Sequence, residues 1–523
     1  MTRNAFATAP LNHLAPHDRE RFRRFGRGPA AAPGFPLVHQ AFEHWARKQP
    51  HAPAAEHAGR VLSYAELDRR AEHLARLLAA AGVRPGDRVG LFLHRSLPMV
   101  VGILATLKAG AAYVPQDARI APPRQLRHVV DTAGIRVALT TADHRDALAP
   151  LGVPLLLDVE DVMATTPPGA APSARTAPAP SPDTGCYVLF TSGTTGTPNG
   201  VEVTHRNVAN LLLTSPGDLG IRPGHRVAQI LNIAFDMAAW EILGTLANGG
   251  TLVLRGPDIA ESVRDCHVII ATPTILAGID PDRTPRVEVV AVAGERCPEA
   301  LADRWAARAA FWNGCGPTEV TIVNTLHLHL PGRPLTIGTP TPNNTVYVLD
   351  RFRRPCAIGE VGEMWAGGDC VSTGYLGNPR LTDERYAPDP FLGGGRRMFR
   401  TRDLGRWTED GRLEPLGRTD DQVKVRGFRV ELDSVSAVLE TVPGVESAAT
   451  VKVGDRDLVA FLTGTDVDLA LARQALGHSL PYYAIPRELR LLDRLPLTDR
   501  GKTDKAALLR MTAAPHRAPA RAA

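Results

Sequence analysis

The sequence predicts an α/β protein, with a large N-terminal region of parallel sheets covered by helices and a smaller α+β domain behind it. Three observations carry that reading. At 523 residues the chain is too long for a single core. Strand-like apolar runs alternate with helical stretches until about residue 420, the pattern of strands joined by crossover helices. From about residue 421 the texture changes to a short α+β unit of ordinary domain size.

Taken in order, residues 1–35 are rich in Arg, Ala and Pro and are expected to be a flexible leader. Helical periodicity begins with PLVHQAFEHWARKQP and continues in VLSYAELDRRAEHLARLLAAAG, where Ser63 is the expected N-cap, Glu66 its capping-box partner and Gly82 the stop. RVGLFL and AAYVP then read as strands around the helical PMVVGILATLKAG. Residues 164–185, ATTPPGAAPSARTAPAPSPDTG, read as a Pro/Ala-rich surface tether. RVAQILNIAF, TLVLRG, CHVIIATPT, VEVVAVAGE and TVYVLDR supply further strands. The expected boundaries are a large subdomain over 36–419, a small one over 420–510 and a tail over 511–523.

Composition narrows the function. The six cysteines show no CxxC or Cys/His spacing, so neither a disulfide framework nor a zinc site is expected. A net charge of +5, with no dense basic run interleaved with aromatics, argues against nucleic acid as a partner. No apolar stretch approaches a bilayer span and no signal peptide opens the chain, so no membrane association is expected and a cytoplasmic location is the default. Only six of the 60 basic side chains are lysine: Lys48, Lys108, Lys424, Lys452, Lys502 and Lys505. In a chain so biased toward arginine, lysine marks places where a compact charge is needed.

The stretch YVLFTSGTTGTPNGV, residues 187–201, joins an apolar run to a Gly/Ser/Thr loop. Successive backbone N–H groups in such a loop form an anion-binding concavity, and Thr191, Ser192, Thr194 and Thr195 add hydroxyl donors. Gly193 and Gly196 let the backbone approach a ligand. The stretch resembles the phosphate loop of the adenylate-forming superfamily, which includes acyl-CoA ligases, luciferases and the adenylation domains of nonribosomal peptide synthetases. LSYAELDRRA and LKAGAAYVP before it agree in order, as do FDMAAWE, NGCGPTE, GEMWAGGDCVSTGYLGNP, FRTRDLGRW, GRTDDQVKVRGFRVEL and PLTDRGKTDK after it. The resemblance covers residues 36 to 510 and is closest to a free-standing adenylation domain.

That resemblance implies ATP and Mg²⁺ as cofactors, and a reaction in which a carboxylate displaces pyrophosphate before passing as an acyl group to a thiol. Charge develops on the α-phosphate and on pyrophosphate, so donors and cations must be aimed there. By the family pattern Glu319 holds Mg²⁺ and Thr318 donates to phosphate. Asp403 takes the ribose hydroxyls with Arg418 beside it, and Asn313 and Gly316 join the loop residues in nucleotide binding. Lys502 is carried in on a small mobile C-terminal domain to meet the carboxylate and α-phosphate, and Asp420 is the hinge, with Lys424 and Arg426 close to that boundary. Three positions depart from the pattern. Asn199 stands where relatives have a phosphate-loop lysine, Cys315 where they have an adenine-stacking aromatic, and Arg402 where they have glycine. Arg206, just past the loop, is a candidate substitute for the missing charge. Losing one charged contact of ~1.5–3 kcal/mol weakens ATP binding tenfold or more without removing the chemistry.

FDMAAWE sets the substrate class. In amino-acid-activating relatives an aspartate here pairs with the substrate ammonium, and Asp236 occupies that position; its alternative role is to cap the following helix. The implied side-chain pocket comprises Asp236, Met237, Trp240, Thr274, Ala291, Ala293, Gly314, Ile322 and Val323, apolar apart from Asp236 and deepened by its small residues. It suits an aromatic or bulky apolar amino acid. The expected acceptor is the phosphopantetheine thiol of a carrier protein in trans, with a small MbtH-like accessory protein as a further partner, in natural-product (antibiotic) biosynthesis. An acyl- or aryl-CoA ligase and a degenerate, non-catalytic binding subunit are the alternatives.

Overall fold

The computed structural model describes residues 11–166, 180–193, 197–454, 456–497 and 503–513. Thr194, Thr195, Gly196 and Lys502 lie outside the described residues, as does most of the 164–185 tether. The chain divides into two compact units: one of Met1–Arg119, Val129–Phe190 and Gly200–Thr419, the other of Ile120–His128, Thr191–Asn199 and Asp420–Ala523.

The first unit is the mixed α/β body. Its larger sheet has nine strands, with Ala310–Cys315, Val289–Val292, Val268–Ala271, Arg226–Gln229, Thr251–Leu254 and Pro53–His57 parallel in that spatial order and antiparallel strands at both edges. A second sheet of seven strands places Ala112–Gln116 between Gly185–Thr191 and Arg88–Phe92, again in parallel. Strands covered on both faces must be apolar throughout, and Val268–Ala271 and Val137–Thr140 are buried at every position. The helix Leu97–Lys108 is buried at each residue except Lys108, so one continuous core serves both sheets. The helix Tyr64–Ala80 starts with the predicted capping box, Ser63 and Glu66 each bonding the other's backbone N–H.

Lys108 shows why lysine survives there. Its ammonium, with the side chain 4% exposed, lies 2.9 Å from Glu43, 2.9 Å from Asp68 and 3.3 Å from Glu72, and so ties the end of helix Leu97–Lys108 to helices Val38–Lys48 and Tyr64–Ala80. A point charge with rotating donors serves three carboxylates better than a planar fork.

A smaller antiparallel sheet completes this unit, ordered Asn344–Leu349, Gly362–Gly368, Arg397–Trp407 and Tyr386–Pro388, with Leu413–Arg418 paired to Arg397–Trp407. Here the leader expectation fails. Residues 11–31 are anchored rather than free: the helix Pro16–Phe25 sets Phe22 against Tyr347 and Phe391, and Phe25 against Trp407. Arg27 bridges Thr345, and the Ala31 backbone exchanges hydrogen bonds with the Asn343 side chain. Average composition hid two aromatics spaced three apart on one helix face, and that spacing seats the arm.

The second unit contains a hairpin, Gln422–Val425 with Phe428–Glu431, and a sheet of Val445–Val453, Asp457–Gly464 and Glu488–Leu491. Leu432, Val435, Leu439, Leu458, Leu462 and Leu476 form its own core. Lys505 lies 3.0 Å from both Asp421 and Asp433. Among the described residues no helix is long and apolar enough to cross a membrane.

Candidate active site

Parallel α/β sheets bind ligands beyond the carboxyl ends of their strands, and most of the candidate residues of the larger unit collect there. Asp236 follows Arg226–Gln229, Thr274 follows Val268–Ala271, Ala293 follows Val289–Val292, and Gly316 through Glu319 follow Ala310–Cys315. The two parallel sheets meet at this edge, where Asn232 Nδ2 donates to Asp117 at 3.3 Å and Arg95 Nε donates to Gln229 Oε1 at 2.6 Å.

Glu319 lies in the single turn Thr318–Val320 and is 0% exposed. A buried carboxylate needs donors. Tyr375 supplies one, its hydroxyl donating to Glu319 Oε1 at 2.6 Å, while Ser372 N–H bonds the Glu319 carbonyl at 3.0 Å. Thr318 beside it is half-buried. The next two residues carry backbone strain, with Thr321 at φ 61° and Ile322 at φ 68°, a region β-branched residues avoid. Val323 N–H closes on the Thr321 carbonyl at 2.8 Å, making a tight three-residue turn, and Thr321 Oγ1 donates to the Cys370 carbonyl at 2.7 Å. Gly316 permits this geometry: a Cβ there would stand 2.7 Å from Val323 Cα. The Asn313 amide is turned to the Thr336 carbonyl at 2.8 Å, so its donor serves the protein.

Asp403 and Arg418 face each other across adjacent antiparallel strands and form an ion pair. Asp403 N–H also bonds Thr401 Oγ1 at 3.0 Å. The carboxylate is half-buried and fixed in orientation, suited to accepting two vicinal hydroxyls. Arg402, at the position where glycine was expected, adopts φ 63°, and its guanidinium is drawn to Glu384 at 2.6 Å. This is a backbone conformation that glycine takes more freely than any other residue.

Asp236 is the first helical residue of Asp236–Ala247 and the N-cap is Phe235, so capping is not its task. Negative charge there is stabilised by the helix dipole. It lies close enough to Tyr113 and Tyr187 to help burial push both phenols well above their usual range. Of the expected pocket wall, Met237, Trp240, Ala291, Ala293, Ile322 and Val323 are buried and Thr274 is half-buried. Trp240 is fully enclosed and donates from Nε1 to the Gly217 carbonyl at 2.7 Å. Gly314 does not add depth as expected. The space of its missing Cβ is already taken, with Val323 Cγ1 2.9 Å from where that atom would sit.

The described part of the phosphate loop belongs to the second unit. Thr191 Oγ1 donates to the Asn199 carbonyl at 3.4 Å and Ser192 Oγ to the Arg429 carbonyl at 3.1 Å. Gly193 is required by close approach: its Cβ would meet the Thr197 carbonyl at 2.3 Å and Asn199 Nδ2 at 2.7 Å. The Asn199 amide thus lies beside Gly193. Arg206 pairs with Asp183 at 2.6 Å. The unit boundary falls between Thr419 and Asp420, the residue expected to be the hinge. Sequence reading missed Tyr375, although it lies within the motif GEMWAGGDCVSTGYLGNP; a buried acid at Glu319 demands a nearby donor, but nothing local says which hydroxyl provides it.

The AMP-binding enzyme family profile matches residues 42–376. Two adenylate-forming reductases of Coprinopsis cinerea are each 46% identical over 506 residues, 96% of this chain and 49% of theirs. The chain therefore spans about half the length of these curated relatives. The isonitrile lipopeptide synthase of Mycobacterium tuberculosis is 40% identical over 88% of this chain and 19% of its own. Among solved structures, a nonribosomal peptide synthetase protein with adenylation and carrier (PCP) domains, bound to a vinylsulfonamide inhibitor, superposes with TM-score 0.81 at 27% identity, covering 92% of this chain and 85% of that one. A four-domain synthetase bound to AMP and glycine superposes with TM-score 0.69 at 29% identity, covering 94% and 38%. A two-sheet α/β body with a small α+β unit following is the fold these solved structures match, and the chain belongs to the AMP-binding family of adenylate-forming enzymes, alongside nonribosomal peptide synthetase adenylation domains.

Proposed function

We propose that the chain activates an α-amino acid, aromatic or bulky and apolar, as its aminoacyl-AMP with release of pyrophosphate, and then delivers the acyl group to the phosphopantetheine thiol of a carrier protein in natural-product biosynthesis. The observation that carries this is Asp236. It is an acid at the first helical position beyond a parallel strand, among apolar residues, and its N-cap is a neighbour. A carboxylate so placed suits an ammonium group, whereas fatty or aryl acids offer it no partner. Asp403 with Arg418 would hold the ribose, and Thr318 with the loop residues Thr191–Gly196 the phosphates. Lys502 would bring the positive charge to the reacting carboxylate and α-phosphate, with Asp420 as the pivot.

Glu319 fits Mg²⁺, which is commonly held by one or two protein carboxylates together with substrate phosphates. When bound it neutralises charge on the phosphates. The test is amino-acid-dependent pyrophosphate exchange across a broad panel, with a small MbtH-like accessory protein supplied. Exchange with aromatic or bulky apolar amino acids, lost in Asp236→Ala, is expected. Its absence across the panel, or robust CoA thioester formation from acids without an amino group that ignores Asp236→Ala, refutes the proposal. A second reading comes from the two reductases at 46% identity. In it the chain forms the adenylate as one part of a longer protein whose remainder reduces the acyl group.

A further inference from the structure

The helix Asp236–Ala247 is apolar and buried along its length, yet it contains a second acid, Glu241, which is 0% exposed. Burying a carboxyl in such a helix is costly unless its oxygens are fully used. They are. Oε1 accepts from the backbone N–H of Ile230 at 2.8 Å and of Leu231 at 3.2 Å, and Oε2 accepts from Gln229 Nε2 at 2.9 Å. Arg95 binds the carbonyls of the same two residues, its Nη2 donating to Ile230 and Leu231 at 2.8 Å each and its Nε to Gln229 Oε1 at 2.6 Å. The end of the strand Arg226–Gln229 is thereby held through both its N–H and C=O groups.

The turn from this strand into the helix is equally constrained. Asn232 Oδ1 accepts from Ala234 N–H at 2.9 Å, the Asn232 carbonyl accepts from Phe235 N–H at 3.1 Å, and Asn232 Nδ2 reaches Asp117 at 3.3 Å. The next residue is Asp236. Glu241 therefore reaches back from inside the helix to the strand that precedes it, closing a loop whose far end presents Asp236.

We propose that Glu241 and Arg95 are positioning residues that fix the strand-to-helix turn holding Asp236 at the substrate's ammonium group. This rests on the reading of Asp236 as the ammonium partner. The physical demand is geometric: a charge-assisted hydrogen bond discriminates only if its acceptor is held to within a fraction of an ångström. Neither residue touches substrate. Their effect passes through the backbone of residues 229–235.

The experiment compares kcat/KM for pyrophosphate exchange with L-phenylalanine and with 3-phenylpropanoate, its counterpart lacking the amine; if another amino acid leads the panel, it and its desamino acid replace them. Parent, Glu241→Gln, Arg95→Met, Arg95→Lys and Asp236→Ala are measured as full chains. Glu241→Gln and Arg95→Met are expected to lower the preference for the amine-bearing acid by about tenfold or more, with KM for ATP within about twofold of parent and partial recovery in Arg95→Lys. A merely structural role would lower both acids equally and raise KM for ATP, and that overturns the proposal. So does an unchanged preference in both variants while Asp236→Ala loses it. If Asp236→Ala itself leaves the preference intact, the ammonium reading has failed instead. Should Glu241→Gln not fold, the half-buried Arg95 pair of variants decides the matter alone.

Discussion

Gly314 separates two accounts of the substrate wall. If it leaves depth for a large side chain, then Gly314→Ala should trim the pocket and favour smaller amino acids. The structure says otherwise. Its φ is ordinary, so alanine is free of backbone strain there, but the new methyl would sit 2.9 Å from Val323 Cγ1, 3.2 Å from Leu326 Cδ2 and 3.4 Å from the Val292 carbonyl. Val323 is 1% exposed and cannot retreat, because its Cα is close-packed over Gly316 and its N–H closes the strained turn at Ile322. Overpacking of this kind costs ~2–3 kcal/mol. The buried methyl and the stiffer unfolded chain return ~1 kcal/mol, leaving a net loss of ~1–2 kcal/mol. Val323→Ala alone should cost ~2 kcal/mol by removing buried carbon. In the double variant the clash is gone, so the two effects should couple by ~2 kcal/mol. Urea unfolding of the four proteins measures that coupling. Exchange assays should show Gly314→Ala slower with every amino acid, because the strained turn Thr321–Val323 follows directly on the one that carries Glu319. Additivity within ~0.5 kcal/mol, together with a preference moved to smaller side chains, would refute the packing argument.

Three further outcomes are expected from other contacts. Lys108→Met leaves three carboxylates around one buried point and should destabilise by ~3–5 kcal/mol in urea unfolding. Burial alone would lower the Lys108 pKa, but Asp68 and Glu43 outweigh it and raise it above 10.5, so the parent's advantage should hold at neutral pH and shrink only as pH climbs past 10.5. Tyr375→Phe removes a donor from the fully buried Glu319 and should cost ~1.5–3 kcal/mol, the loss vanishing when Glu319→Leu, which has no acceptor, is already present; a loss that persists in that background counts against the contact. Burial raises the Glu241 carboxyl to about 8 against the opposing pull of the Ile230 N–H and Arg95. Its ionisation is thus disfavoured in the folded state, so parent stability relative to Glu241→Gln should be greatest below 4.5 and fall as pH rises through about 8. Thermal unfolding of both proteins across that range reads the difference.

Much of this molecule could be read from the residues in order. Alternating apolar runs specify parallel strands because strands covered on both faces have no polar side to display, and Ser63 with Glu66 specifies a helix start through contacts three residues apart. The loop, Asp236, Glu319 and Asp403 could be picked out as candidates for the same reason: each lies in a short contiguous motif. What the sequence could not determine depends on residues far apart along the chain. Phe22 seats the N-terminal arm on Tyr347 and Phe391, turning an expected leader into part of a sheet's cover. Val323 fills the space that Gly314 seemed to offer, Tyr375 answers the charge of Glu319, and Arg95 completes the grip that Glu241 begins. Local pattern sets secondary structure and places reactive groups in order. Only close packing in three dimensions decides which gaps remain open and which buried charges find a partner.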